Sequence, residues 1–386
     1  MRYKIVKLGE ICDFEGGSQP QKSNFIFEPK KGYIRFIQIR DFKSDKNFTY
    51  IPIAKKNRIC KAEDVLIGRY GASVGKILTG LSGAYNVALM KTKPNQKNLD
   101  KKFLYYYLIS NLFQELLKKV SARSAQNGFS KDDIYNFPFT LPLLSEQQRI
   151  VAKLDAAFTE IDKTISMVLK SIENVDLLFE KKIKQHFVDN IINAPFVKLS
   201  DISEYFNGLT YSPKDVSENG TIVLRSGNIQ NGKMKYSDIK RVNKKIKDKL
   251  YVKATDILIC SRNGSQKLIG KSSLIGEINE PMTFGTFMMI IRSEYNEYLQ
   301  WFVKSKLFKR QIVKGENTMI NQITRYMLDD ISLPFPDAKS YKKISKELKE
   351  LDGHRRRLNE IFNTKIENFK KLKSAILKQE LLEKAA

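Results

Sequence analysis

The sequence predicts an α+β fold with two similar α/β domains separated by two long helices, which pair as an antiparallel coiled coil and give a pseudo-two-fold internal repeat. The first observation behind this prediction is that the chain repeats itself. The segment VKLGEI at residues 6–11 returns as VKLSDI at residues 197–202. Further along, the halves align at an offset of 194, which brings Ser130 onto Thr324. Because this offset is about half the chain length, one fold is used twice.

The second observation is a change of sequence period within each half. In the first half, short β-type runs come first, at residues 34–39 and 88–90, and an apolar helical stretch follows at residues 101–120. Residues 137–142 are predicted to form the last strand of the domain. Apolar positions then recur in steps of three and four residues, which is typical of a coiled-coil seam. The predicted boundaries place domain one at residues 1–144, the first helix at 145–194, domain two at 195–337 and the second helix at 338–386.

Each half therefore ends in a long helix with an apolar seam. Ser145 and Gln148 have the spacing of a capping box at the start of the first helix, and Pro195 ends that helix. An isolated helix of this kind would expose an apolar stripe, so the two seams are expected to bury each other. The alternative is a helical hairpin that completes one core, but the length of both runs favours the coiled coil. The predicted seam residues are Ile150, Leu154, Ile161, Ile165, Val168, Ile172, Val175 and Ile183 in the first helix, and Ile344, Leu348, Leu351, Leu358, Phe362, Ile366, Phe369, Leu372 and Ile376 in the second.

The composition favours a polyanionic partner. The 386 residues carry a formal net charge of +26, and the sequence pI is near 9.7. A basic surface without a specific partner is one alternative, and an acidic membrane surface is a weaker one. The longest apolar run, at residues 284–291, is too short to span a bilayer, and the N-terminus has no signal-peptide core.

The few soft ligands in the sequence are far apart. Cys12, Cys60 and Cys260 form no close pair, and the histidines are His186 and His354. This pattern argues against a disulfide framework and a zinc site, so no metal is expected. It fits the reducing cytoplasm, which is the expected location.

Two catalytic motifs are matched only in part. Asp337 followed by Glu347 and Lys349 has the loose spacing of a metal-dependent nuclease. However, Leu348 is a seam position, so the Glu and Lys lie on a helix rather than on adjoining strands. Residues 136–139 (NFPF) are similar to the Asn-Pro-Pro-Phe loop of amino-methyltransferases but lack its first proline. No catalytic residue is assigned, and a stand-alone DNA methyltransferase or nuclease is the alternative function.

A junction and a turn carry a resemblance to a known family. The junction is LPLLSEQQRI at residues 141–150, and the turn is GRYG at residues 68–71, followed by Gly75 and Lys76. With the duplicated layout, they resemble the specificity (HsdS) subunit of type I restriction-modification systems, where a Leu-Pro-Pro-Leu-x-Glu-Gln-like segment opens each spacer helix. The resemblance covers essentially the whole chain. The second copy has LPFPD at residues 333–337 and lacks the Glu-Gln pair, so its helix is expected to be capped or docked differently.

The resemblance implies a function in phage defence. Each domain would be a target recognition domain that binds one half of a split double-stranded DNA site, and the helices would set the gap between the halves. The chain itself would have no catalysis and no cofactor. It would dock two methyltransferase (M) subunits, which use S-adenosylmethionine to methylate adenine, and restriction (R) subunits, which use ATP and Mg²⁺. Divergent domains related by a two-fold axis would recognise an asymmetric bipartite site.

Residue type selects the candidates for DNA contact, because Arg and Lys suit guanine while Asn and Gln suit adenine. In domain one the candidates are Gln19, Gln21, Gln38, Arg40, Arg69, Lys76, Arg123, Gln126 and Asn127. In domain two they are Arg225, Asn228, Arg262, Asn263, Gln266, Lys267, Lys271, Asn321 and Gln322. Asn127 and Asn321 occur in both copies and equally fit a turn before Ser130 and Thr324.

The competing functions predict different outcomes. A self-contained enzyme would methylate or cleave DNA as the pure chain. A specificity subunit would do neither without its partners, and its DNA binding would be sensitive to salt. A scaffold that does not bind DNA would leave the pattern of methylated bases in cells unchanged.

Overall fold

The structure is a computed structural model that describes residues 3–44, 46, 48–122, 128–189, 194–313 and 322–382. Backbone contacts divide the chain into two compact units. Unit 1 consists of Met1–Val168 and Thr364–Ala386, and unit 2 consists of Leu169–Asn363. Each unit therefore contains one mixed α/β domain and part of each long helix. The sequence predicts four segments, two domains and two helices, whereas backbone contacts group the chain into two units. The boundaries of the four segments therefore stay a prediction.

Unit 1 begins with a strand that pairs with the last strand before the long helix. Its strands are β1 (Lys4–Lys7), β2 (Cys12–Gly16), β3 (Tyr33–Ile37), β4 (Tyr50–Pro52), β5 (Ile59–Cys60), β6 (Leu66–Gly68), β7 (Ile77–Leu78), β8 (Gly83–Tyr85), β9 (Leu89–Pro94) and β10 (Pro138–Leu141). The helices that begin in it are α1 (Leu8–Ile11), α2 (Lys101–Ile109), α3 (Asn111–Ser121), α4 (Lys131–Tyr135) and α5 (Leu144–Lys184). These strands form an antiparallel β1–β10 pair and two four-stranded sheets, in the orders β2-β9-β6-β7 and β4-β3-β8-β5.

Unit 2 repeats this plan. Its strands are β11 (Phe196–Lys198), β12 (Glu204–Asn207), β13 (Val216–Ser217), β14 (Thr221–Leu224), β15 (Ile229–Gln230), β16 (Lys233–Met234), β17 (Lys240–Val242), β18 (Ile257–Cys260), β19 (Ser272–Leu274), β20 (Met282–Phe284), β21 (Met288–Arg292) and β22 (Ser332–Pro334). The helices that begin in it are α6 (Leu199–Ile202), α7 (Asn296–Lys304), α8 (Lys306–Ile312), α9 (Arg325–Asp329) and α10 (Ala338–Leu382). The sheet β12-β21-β18-β19 repeats β2-β9-β6-β7, and the parallel pair β14–β20 repeats β3–β8. The predicted α+β fold with an internal repeat is confirmed.

The helical stretch predicted at residues 101–120 is two helices rather than one. Ser110 ends α2 and precedes α3 in an extended conformation, with φ −72° and ψ 154°. Its hydroxyl donates to the carbonyl of Tyr107 at 2.6 Å, so the side chain satisfies a helix-end acceptor. Ser305 separates α7 from α8 in unit 2 with the same extended backbone, and its side chain accepts from the backbone N–H of Phe308. Tyr107 and its counterpart Phe302 are buried, as expected of core residues.

The start of α5 differs from the predicted capping box. The helix begins at Leu144, and the backbone N–H groups of Glu146 and Gln147 donate to the carbonyl of Leu143. Ser145 is therefore inside the first turn, and the prediction that it caps the helix with Gln148 is wrong. Gln147 is the fully buried residue of this turn, whereas Gln148 is exposed.

Gln147 connects the first turn of α5 to the domain. Its Nε2 donates to the carbonyls of Asn98 at 2.8 Å and Pro142 at 2.9 Å. Its Oε1 accepts from the backbone N–H of Asp100 at 2.8 Å. All three partners are backbone groups, so one buried side chain supplies hydrogen bonds to three backbone positions at this junction.

The start of α10 is capped by a different residue type, as expected from the missing Glu-Gln pair. Asp337 Oδ1 accepts from the backbone N–H groups of Lys339 and Ser340, each at 3.0 Å. The pKa of the Asp337 carboxyl is lowered, chiefly by the hydrogen bond from the Ser340 backbone. The two long helices therefore begin with different local chemistry.

The long helices run antiparallel within each unit. In unit 1, Asp162 of α5 pairs with Lys373 of α10 at 2.8 Å, and Lys153 pairs with Glu380 farther along. In unit 2, Asp176 of α5 accepts from Arg355 of α10 at 2.8 Å, and Lys182 farther along α5 pairs with Glu347 at 3.0 Å. Increasing residue numbers in one helix thus correspond to decreasing numbers in the other.

Two predicted seam residues are exposed, so the prediction is wrong for Leu358 and Leu372. They are 41% and 45% exposed, respectively. In the middle of α10, the inward positions are taken by polar residues. Asp352 is buried and pairs with Arg355, which also reaches Asp176 of α5. The other predicted seam residues are buried or half-buried in their units. No helix among the described residues has the length and apolar character needed to cross a membrane.

Candidate nucleic-acid interface

The carboxyl ends of several strands meet at one edge of unit 1. β3 and β8 are parallel, and β2 and β6 both pair antiparallel with β9, so they share a direction. A parallel bridge between Ser18 and Asn86 continues β2 alongside β8. The backbone N–H of Asn86 also donates to the carbonyl of Ile37 at the end of β3. The predicted DNA-contact residues that follow these strand ends are Gln19, Gln38 and Arg69.

Glycines allow the close approach of these strand ends. A Cβ atom on Gly17 would lie 2.0 Å from the carbonyl oxygen of Asn86. The same distance separates a Cβ on Gly208 from the carbonyl oxygen of Gly285 in unit 2. Any larger residue would push the strand ends apart, so both units build this edge with the same backbone contact.

Gln38 and Arg40 share one partner, Thr49. Gln38 Nε2 lies 3.5 Å and Arg40 Nη2 lies 3.0 Å from Thr49 Oγ1. The buried carboxylate of Asp41 accepts from the backbone N–H of Gln38 at 2.8 Å. These contacts fix an amide and a guanidinium side by side while most of the Arg40 side chain stays exposed.

The remaining candidates of unit 1 have weaker contacts. Arg69 lies over the ring of Tyr70, 5.0 Å from its centroid, and its Nε is 3.4 Å from the carbonyl of Phe129. Lys76 Nζ donates to Ser73 Oγ at 3.3 Å. Gln19 and Gln21 are exposed. Arg123, Gln126 and Asn127 lie outside the described residues.

Unit 2 brings more of its candidates together. Asn263 Nδ2 donates to Ser226 Oγ, and Lys271 Nζ donates to the Ser226 carbonyl, both at 3.3 Å. Ser226 directly follows Arg225, the first residue after β14. Arg225 pairs with the exposed carboxylate of Asp238 at 3.2 Å. The loop between Asn263 and Lys271 carries Gln266 and Lys267, which are exposed.

Arg262 and Gln322 form a side-chain pair at the same edge. Arg262 Nε donates to Gln322 Oε1 at 3.1 Å, and the two backbones form an antiparallel bridge. Both residues are exposed. Because the bridge fixes both backbones, the guanidinium and the amide are presented together. Asn321 lies outside the described residues.

Asn228 is a correction to the predicted set. It is 1% exposed, and its Oδ1 accepts from the backbone N–H of Arg225 at 2.9 Å. Its Nδ2 donates to the carbonyls of Lys235 and Asp238. These hydrogen bonds stabilise the turn after β14. Asp41 has the same role in the turn after β3, where it accepts from the backbone N–H of Gln38. Residue type suggested a base contact, but burial makes Asn228 a structural residue.

Thr49 and Ser226 were missed by the sequence analysis, although each contacts two of the predicted residues. Both are small hydroxyl residues with no distinctive sequence pattern. Their role depends on loops that meet only in the folded unit, so the sequence offered no signal for them.

The near-miss nuclease motif has other contacts. Asp337 caps α10, and Glu347 pairs with Lys182 of α5 at 3.0 Å. Among the described residues, no group of three or more His, Cys, Asp or Glu side chains is arranged to hold a metal ion. These side chains therefore support the structure of unit 2.

Comparison with known proteins identifies the family. Residues 2–171 and 193–368 match the family model described as Type I restriction modification DNA specificity domain. The chain is 27% identical over 159 residues to the type I restriction enzyme EcoKI specificity subunit of Escherichia coli strain K12. It is 27% identical over 176 residues to the StySPI specificity subunit of Salmonella potsdam. These matches cover 39% and 42% of this chain but 34% and 38% of the relatives, so they span little more than a third of each relative.

The fold is also found among solved structures. One chain, from work on complex assembly and conformational transition of the type I R-M system, has a TM-score of 0.75 and 16% sequence identity. The similarity covers 98% of this chain and 97% of that chain. At this identity the likeness shows a shared fold.

Proposed function

The chain belongs to the family of type I restriction-modification DNA specificity domains, and we propose that it is the DNA-recognition subunit of a type I restriction-modification complex. Each unit binds one half of a bipartite, asymmetric double-stranded DNA site. The chain is not catalytic. It docks two M subunits, which supply S-adenosylmethionine-dependent methylation, and R subunits, which supply ATP- and Mg²⁺-dependent restriction.

The observation that supports this proposal most is the repeated strand-end edge with different side chains. The backbone is the same in both units, because Gly17 meets Asn86 as Gly208 meets Gly285. The side chains after equivalent strands differ, since Gln38 follows β3 whereas Arg225 follows β14. Glutamine suits adenine and arginine suits guanine, so two edges of this kind would recognise different base sequences.

The charge and the exposed cations fit the same proposal. A net charge of +26 would attract the phosphate backbone without regard to sequence. Exposed Lys267 lies in the loop next to the Arg262–Gln322 pair. Phosphate contacts of this kind orient a protein on the duplex, while paired side chains such as Arg262 and Gln322 contact base edges.

The direct test is a comparison of methylated bases in cells that express the cognate M subunit with and without this chain. The proposal predicts that one split motif, with two different half-sites, is methylated only when the chain is present. An unchanged methylation pattern would contradict it, and so would a methylated motif without a gap.

A second test separates the proposal from the stand-alone enzyme. The pure chain is incubated with DNA of the identified motif and S-adenosylmethionine, and separately with Mg²⁺ and ATP. The proposal predicts no methylation and no cleavage until M or R subunits are added. Methylation by the pure chain, free of M subunit, would favour the methyltransferase alternative.

A further inference from the structure

We propose that Phe287 of unit 2 is a specificity-determining residue that contacts the 5-methyl group of a thymine in the major groove. Phe287 lies in the turn between β20 and β21, at the edge formed by the strand ends. It is 54% exposed, although the strands on either side of this turn, β20 and β21, are largely buried. A phenylalanine exposed among polar candidate residues offers a large apolar surface to whatever binds at this edge.

The backbone of Phe287 is held rigidly beside Arg262. Its carbonyl accepts from the backbone N–H of Ser261 at 2.9 Å and of Arg262 at 3.1 Å. Ser261 Oγ donates to the same carbonyl at 3.0 Å. The turn is closed by the N–H of Met288, which donates to the carbonyl of Gly285 at 2.8 Å. The backbone of Phe287 is therefore fixed beside that of Arg262, whose side chain pairs with Gln322.

The internal repeat shows that the fold does not require this ring. In unit 1, the backbone N–H of Arg69 donates to the carbonyl of Ala88 at 2.9 Å. In unit 2, the backbone N–H of Ser261 donates in the same way to the carbonyl of Phe287. The next residues also correspond, because Gly17 N–H donates to the Leu89 carbonyl and Gly208 N–H donates to the Met288 carbonyl. Ala88 is thus the counterpart of Phe287. The same backbone is built with a methyl group in one unit and an exposed benzyl group in the other.

The residues near Phe287 and its partial burial indicate which group of the DNA it contacts. Arg262 and Gln322 carry the groups that recognise guanine and adenine in the major groove, and the apolar feature of that groove is the thymine methyl group. A wedge between base pairs must project freely into the duplex. Phe287 is close to half covered by its own unit, so it presents an apolar patch that fits against a base edge.

The inference rests on the proposed function, because it requires unit 2 to bind duplex DNA. The experiment uses the chain assembled with its M subunits and the split motif found from the methylome. Each thymine of the motif is replaced in turn by deoxyuridine, which removes only the methyl group. Binding is measured for the wild type, for Phe287→Ala and for Phe287→Leu as the control that keeps an apolar side chain.

At one thymine, the wild type is expected to bind the deoxyuridine duplex about fourfold more weakly, the value for one buried methyl group. Phe287→Ala is expected to show no difference between thymine and deoxyuridine there, and Phe287→Leu is expected to keep part of it. Equal sensitivity in the wild type and Phe287→Ala would overturn the inference, as would half-sites without a sensitive thymine. Failure of the proposed function is distinguishable, because then no split motif would depend on the chain at all.

Discussion

Replacing Gln147 by leucine tests the account of how α5 is attached to unit 1. The side chain is fully buried and makes three hydrogen bonds, to the carbonyls of Asn98 and Pro142 and from the N–H of Asp100. Leucine fills nearly the same space but leaves these backbone groups without a partner. At a net value of about 1 kcal/mol for each bond, Gln147→Leu should destabilise unit 1 by about 3 kcal/mol.

Hydrogen exchange measured by mass spectrometry suits this test because it reports on each segment separately. Peptides around Asp100 and the first turn of α5 should exchange about a hundredfold faster in Gln147→Leu, which corresponds to about 3 kcal/mol. The matched control is Gln148→Leu, since Gln148 is the neighbouring residue and is exposed. It should change exchange little. Equal effects of the two substitutions would refute the argument that buried hydrogen bonds hold this junction.

Three further predictions follow from particular side chains. The pKa of the Asp337 carboxyl is lowered from its ordinary value of 3.8 because backbone N–H groups bind the charged form. The carboxylate therefore stabilises the folded state above pH 3.8, and this stabilisation is lost as the pH falls through the lowered pKa. Asp337→Ala should therefore lower the urea midpoint of unit 2, followed by tryptophan fluorescence, by more at pH 7 than at pH 3. An equal shift at both pH values would contradict this. Lys267→Ala should reduce the magnitude of the slope of log binding constant against log salt concentration by about one, equally on specific and unrelated DNA. A change in sequence preference would argue against a phosphate contact. Burial raises the pKa of the Cys12 thiol to about 12 and that of the Cys60 thiol to about 11. The native chain should therefore react slowly with a thiol reagent at pH 8, and the unfolded chain should react rapidly. Fast labelling of the native chain would contradict this prediction.

The repeat and the change of period were sufficient to predict the fold class. Repeated residues such as Ser130 and Thr324 have the same role in both copies, because each caps a short helix by accepting from a backbone N–H. Spacing of this kind is set by local backbone chemistry, which one sequence carries in full.

Register and burial were harder to predict. The pattern of three and four residues placed Leu358 and Leu372 on the inward face of α10, but both are exposed, and in the middle of that helix the buried residue is Asp352, which pairs with Arg355. At the start of α5, the spacing selected Ser145 and Gln148, whereas the side chain that bonds the junction is that of Gln147. Polar residues at a helix interface break the apolar pattern, so periodicity alone cannot place them.

The candidate site was predicted in its residue types but not in its organisation. Choosing Arg, Lys, Asn and Gln near turns found Arg262 and Gln322, which the fold joins across 60 positions of sequence. It also selected Asn228, whose amide is used to shape a turn. It passed over Phe287, because an aromatic residue in an apolar run looks like core until its exposure is known.

The measurement that tests the central claim most directly is a comparison of methylomes for two paired variants. One carries Gln38→Ala and Arg40→Ala in unit 1, and the other carries Arg262→Ala and Gln322→Ala in unit 2. If each unit recognises one half of a split site, each variant will relax the base preference in a different half of the motif and leave the preference in the other half unchanged. A change in the same half for both variants, or in both halves together, would contradict the account.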